Sequence, residues 1–191
     1  MKVVNLLTIC ILCLALSQSN AQTEPPKGFK KGIIETVDGN RLTGFIKDNI
    51  RNNASLVFIA ETGDKKKTYD GADLNKVEIA GDKFICIKGD FFKVLSEGEL
   101  NLLQKSSNAS GKPTYNGNEA IFSSGTEGKP NDYFIYNNND KKLVLIPKKN
   151  ADDVIAASFA GNAAALDKAK GANGDLAQLK AAVEIYNNGN R

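Results

Sequence analysis

Between Gly32 and Pro147 the apolar residues alternate with polar ones at a period of two, and turn residues interrupt them every eight to twelve positions. That pattern predicts short antiparallel strands in a meander or barrel. The first pair is the clearest: Ile33 to Val37 and Arg41 to Lys47 flank Asp38-Gly39-Asn40, a strong hairpin signal. Leu42, Gly44 and Ile46 fall on one face of the second strand. Gly44, in mid-strand, predicts a bend or bulge.

The segment "LVFIA" (56–60) is apolar on both faces and reads as a covered strand, followed by a short strand from Lys66 to Tyr69. Asp70 to Leu74 reads as a tight loop or one helical turn. After it "KVEIA", "KFICIK", "FFKVLS" and "ELNLLQK" follow one another across Gly-containing turns. Ser106 to Glu119 is rich in Ser, Asn and Gly and reads as a surface loop. "DYFIY" and "KKLVLIP" predict the last strands, joined by the turn Asn137 to Asp140.

Beyond Pro147 the period lengthens to about 3.6. Asn150 with Asp153 predicts a capped helix through Phe159, and Asn162 a second cap. Asp175 with Gln178 opens the longest helix, whose stripe is Leu176, Leu179, Ala182, Val183 and Tyr186. The expected fold is therefore α+β and mostly β: an antiparallel meander or small barrel-like domain over 32–149, then two or three short helices over 150–191 packed on it.

The amino-terminal pattern is of another kind. Lys2 precedes an apolar run from Val3 to Leu16, and Ser19 and Ala21 are small at the −3 and −1 positions before Gln22. This predicts a cleaved signal peptide over 1–21, an extended leader over 22–31, and a periplasmic or secreted protein. No later segment approaches the ~20 apolar residues of a spanning helix, so the mature chain is expected to be soluble. Ile9 and Leu12 precede Cys10 and Cys13, and apolar residues continue past both. The two cysteines read as ordinary members of the run rather than lipidation sites.

Composition then removes chemistry. There is no histidine, and Cys86 is the single cysteine after position 21. Ser-His-Asp and Cys-His catalysis, His/Cys zinc sites and an intramolecular disulfide are excluded. No phosphate-binding glycine loop appears, and Asn137-Asn138-Asn139-Asp140 lacks the spacing of a calcium loop. Catalytic residues, metal and cofactor are all expected to be none, and the protein no enzyme. A carboxylate pair brought together by the fold is the one hydrolytic alternative. The net charge of +3, or +2 without Lys2, gives no argument for nucleic acid.

The Lys65-Lys66-Lys67 and Lys141-Lys142 runs read as solvated turns. Asn53-Ala54-Ser55 and Asn108-Ala109-Ser110 match the glycosylation sequon, which has meaning only in a host with that machinery. Tyr115, Tyr133 and Tyr136 are the candidates for an aromatic ligand or glycan platform, with strand packing as their plainer role. The leading expectation is an interaction or accessory module whose partner is a protein or other envelope component.

In order along the chain, "GIIETVDGNRLTGFIK", "KKKTYDGADLNKVEI", "FFKVLSEGELNLLQK", "DYFIY" and "KKLVLIPKKN" leading to "IYNN" resemble a group of uncharacterised exported proteins of Bacteroidetes. Tyr69, Asp73 and Leu74 occupy that group's Tyr-turn-Asp-Ile-like step, and Ala160-Gly161-Asn162-Ala163 departs from the cysteine or proline it often carries near the first helix break. The resemblance implies export and a β-rich fold, and brings no activity and no functional residues. A looser architectural similarity is to small SH3-type and Sm-like barrels, which also use strand, Asp-Gly turn, strand and glycine bend; it implies fold and not function.

Overall fold

The computed structural model describes residues 24–63, 65–111, 113–116, 119–122, 124–172 and 175–189, with the backbone alone at 114–116 and 121. The signal-peptide reading of 1–21 lies outside the described residues. The strands are β1 (Lys30–Thr36), β2 (Arg41–Asn49), β3 (Ser55–Ala60), β4 (Lys66–Asp70), β5 (Leu74–Ile79), β6 (Asp82–Ile87), β7 (Asp90–Ser96), β8 (Leu100–Lys105), β9 (Pro113–Asn116), β10 (Glu119–Phe122), β11 (Tyr133–Asn137) and β12 (Lys142–Leu145). A one-turn helix α1 (Ile50–Asn53) joins β2 to β3, and α2 (Asp152–Ser158), α3 (Ala163–Lys170) and α4 (Leu176–Gly189) follow β12.

Ten strands form one antiparallel sheet in the order β12-β11-β8-β7-β6-β5-β1-β2-β3-β4. The protein is thus mostly β with short carboxy-terminal helices, as the periodicity predicts. The sheet curls: Gly71, just after β4, bridges Gly89, just before β7. Tight curvature needs small residues where strands crowd. Gly32 and Gly44 are direct cross-strand partners in β1 and β2. A Cβ on Gly44 would lie 2.7 Å from Phe58 Cζ, and one on Gly32 3.2 Å from Ile46 Cγ1, inside van der Waals contact. Gly39, at φ +81°, closes the first hairpin with its N–H donated to Thr36 O.

One face of the sheet is inward throughout. In the curled part, Ile34, Ile46, Leu56, Phe58, Tyr69, Val77, Phe84 and Phe91 fill the interior. In the rest, Leu100, Leu102, Ile135 and Ile146 continue that face and are covered by Ile155, Phe159, Ala165, Leu179, Ala182 and Val183 of the helical segment. All five stripe residues of α4 join this second core. Asn187 fastens the helix to the sheet: its amide nitrogen donates to Leu100 O, and its oxygen accepts from Leu100 N, both at 2.9 Å.

Two local expectations are corrected. Ser106 to Glu119 is more than a loop, since β9 and the start of β10 pair within it as a separate two-stranded sheet, and Ser107 and Ala109 are buried. Asn150 caps no helix: it has φ +55°, and α2 starts from Ala151 without a side-chain cap. The other two caps form as expected, with Asn162 Oδ1 accepting from Ala165 N and Asp175 Oδ1 from Gln178 N.

Candidate functional site

The most concentrated polar chemistry lies where β7 meets β8. Asp90 and Lys105 are both fully buried, and Lys105 Nζ sits 3.0 Å from Asp90 Oδ2. The ammonium also donates to the carbonyls of Thr126 (2.8 Å), Glu127 (3.1 Å) and Gly128 (3.3 Å). Asp90 Oδ1 accepts from Ser107 Oγ and Ala109 N, while Oδ2 accepts from Thr126 N and Oγ1. Burial pushes this carboxyl up, but the hydrogen bonds from Thr126, Lys105 and Ala109 outweigh it and hold the group below the usual carboxylate range.

This arrangement is a rivet and not a reactive pair. Lysine has three N–H donors, and here they face four acceptors. The amine is fully engaged by the carboxylate and the three carbonyls. Both oxygens of the carboxylate are occupied as well. The two flanks of the β9–β10 hairpin, at Ser107 and Ala109 on one side and Thr126 on the other, are fixed to one side chain.

The outward face of the sheet carries the second feature. Phe92, Leu103 and Phe134 are buried there, ringed by half-buried Ile85, Ile87, Val94, Tyr136, Leu143 and Leu145. The buried apolar residues of α2, α3 and α4 all belong to the core of the opposite face. Towards β1 the same surface becomes charged in cross-strand register: Glu35 pairs Arg41 and Lys76, and Glu78 pairs Lys83. Lys83 also bonds Glu97 at 2.6 Å. Ile33, Ile85 and Val94 help floor a shallow cleft of 210 Å³ between these charges.

The tyrosine candidates do not converge. Tyr133 packs against the helix-covered core, whereas Tyr136 packs on the outward face. Burial, together with the charge of Asp140, pushes the Tyr136 hydroxyl up. Tyr115 lies in β9, in the separate hairpin, and its side chain is outside the described residues. Asp140 and Asp153 line one cleft of 280 Å³ beside α2. Both are exposed, and Asp140 Oδ1 is held by the Lys142 amide at 3.0 Å.

Cys86 is half-buried, and desolvation, with the nearby charge of Asp90, pushes its thiol far above the usual range, which leaves it protonated and inert. Among the described residues, no group of three or more Asp, Glu, Cys or His converges as metal ligands, and no helix is long and apolar enough to cross a membrane. The rivet had one signal in the sequence, a lysine closing the Leu-rich strand LNLLQK, but its partner lies fifteen residues earlier across a turn that periodicity alone does not register. Compared with known proteins, the chain matches no family model, no curated protein and no solved structure.

Proposed function

We propose that this is an exported, non-catalytic module of the cell envelope that docks a protein partner on the outward face of its sheet. The observation that carries the reading is the asymmetry of that sheet. One face is covered by its own curl and by three helices, while the other keeps six half-buried apolar side chains around Phe92, Leu103 and Phe134. Contiguous apolar surface of this kind marks interaction sites. The mixed charges beside it supply the polar rim that protein interfaces use.

A small-molecule or glycan pocket is the weaker reading. The cleft floored by Ile33, Ile85 and Val94 and the one beside α2 measure 210 and 280 Å³, below the ~300–1,000 Å³ of ordinary ligand sites, and Tyr133 and Tyr136 face opposite ways. A hydrolase would rest on Asp140 and Asp153, both open to solvent.

The test places a photo-crosslinking residue at Ile85 or Tyr136, and a control at the exposed Glu184 of α4. On incubation with envelope extract the outward-face probes should capture a defined protein that the control does not. Equal labelling from both faces, or none from either, would sink the reading.

A further inference from the structure

The two edges of the ten-stranded sheet are managed differently, and the difference singles out one of them. The β4 edge carries Lys66 and Lys67 after Lys65, the usual way of blunting an edge against pairing, and the residue that follows it is already bridged to Gly89. The β12 edge reads Leu143-Val144-Leu145-Ile146, with no charge between Lys142 and Lys148. Its inner side pairs with β11, Ile135 opposite Val144 and Phe134 opposite Leu145.

Ile146 N donates to Tyr133 O at 2.9 Å, which fixes the parity of the ladder. Ile146 and Val144 turn their main-chain groups towards β11. Leu143 and Leu145 turn theirs away from it, towards no partner among the described residues. The edge therefore presents two donors and two acceptors. Pro147 has no N–H to continue the row.

We propose that β12 pairs with β12 of a second copy of this chain, antiparallel about a two-fold axis through Val144. In that register Leu143 lies opposite Leu145 of the other copy, twice over. Each outward N–H then meets an outward C=O, giving four hydrogen bonds with no group left over. Val144 faces its own counterpart across the axis, Lys142 falls opposite Ile146, and no like charges meet. The paired leucines close over one another on the outward face, so the two apolar faces become one surface and both sets of helices stay on the other side. A second copy fits better than a foreign strand because this edge is complementary to itself in main-chain parity, in apolar side chains and in its termination at Pro147. An edge this short buries less than the ~800 Å² per partner of standard interfaces, so the dimer is a weak one, with dissociation in roughly the micromolar range.

The test is sedimentation of the purified protein as its host processes it, alongside Val144→Lys and Val144→Glu. Residue 144 lines a solvent-open cleft, so either charge can reach water in the monomer, and circular dichroism checks the fold of each. The wild type should reach twice the monomer mass with rising concentration. Each variant alone should dimerise at least ~10-fold more weakly, because like charges face each other at the axis. An equimolar mixture of the two should recover the dimer, an effect no folding defect produces. Amide exchange at Leu143 and Leu145 should slow with wild-type concentration.

A wild type that stays monomeric up to ~0.5 mM overturns the proposal. So does a dimer indifferent to both substitutions, or protection of the Leu143 and Leu145 amides that arises only when envelope extract is added. These outcomes are separate from the photo-crosslinking result, which can fail or succeed on a monomer.

Discussion

The curled half of the sheet and the helix-backed half solve the same problem by different routes. From β1 to β6 the inward residues are covered by the sheet itself, and most pairings link strands adjacent in sequence. In β8, β11 and just after β12 the inward residues are covered by helices from the end of the chain, and Asn187 must return across 87 residues to reach Leu100. Local closure costs little chain entropy, whereas the return of a distant segment costs more and forms later. The helix-backed half is therefore expected to open first. Amide exchange in α3 and α4 should report a smaller opening free energy than in β2 and β5.

The Asp90–Lys105 rivet stands at the seam between the two halves, and breaking it should have the largest effect. Lys105→Leu leaves a buried carboxylate without its cation, and a loss of about 3–5 kcal/mol in urea unfolding is expected. The same pair gives a signed pH dependence. The native Asp90 carboxyl is held below its unfolded value of ~3.9. Its contribution is therefore present above that value and is lost as the pH falls through the depressed native one. Wild type should lose more stability between pH 5 and pH 2 than Lys105→Leu does, and equal slopes would refute the assignment.

Gly44→Val comes next and strikes only the curled half. Its branched Cβ would meet the Phe58 ring and the main chain of Ile59, costing about 1–3 kcal/mol or more. Exchange in β2 and β3 should accelerate while α4 keeps its own opening rate. Asn187→Ala is the counterpart in the helix-backed half. It strands the N–H and C=O of Leu100 and should cost about 1–3 kcal/mol, with α4 loosened and β2 unaffected. If either variant loosened both halves equally, the division would be wrong.

The smallest expected effect is a gain. Thr36 Oγ1 is buried without a hydrogen-bond partner at the irregular end of β1. Thr36→Val replaces that hydroxyl with a methyl of similar shape and should raise stability by roughly 1 kcal/mol. An unchanged or lower midpoint would mean that the hydroxyl finds water.

Much of the architecture was legible residue by residue. Asp38-Gly39 marks the first hairpin because few other pairs tolerate its backbone. The stripe of α4 is read from spacing, and the caps at Asn162 and Asp175 from side-chain chemistry. The misreadings also have causes. Ser106 to Glu119 lacks alternation, and among the described residues β9 and β10 pair with each other and not with the ten-stranded sheet. Asn150 has a capping side chain but lies before the chain has turned into α2, in a left-handed conformation.

What the amino-acid sequence determines by itself is local: strand or helix, where each turns, which side of each strand is apolar, and the absence of histidine chemistry. The tertiary structure decides which strands become neighbours across distant segments. β5 returns to pair with β1, and one carboxylate gathers both flanks of a hairpin. One apolar face receives the helices, the other keeps a ring of half-buried side chains, and β12 is left as an edge. Alternation has a period of two residues and carries no record of contacts made thirty or ninety residues away. Those contacts are chosen by the energy of the assembled sheet.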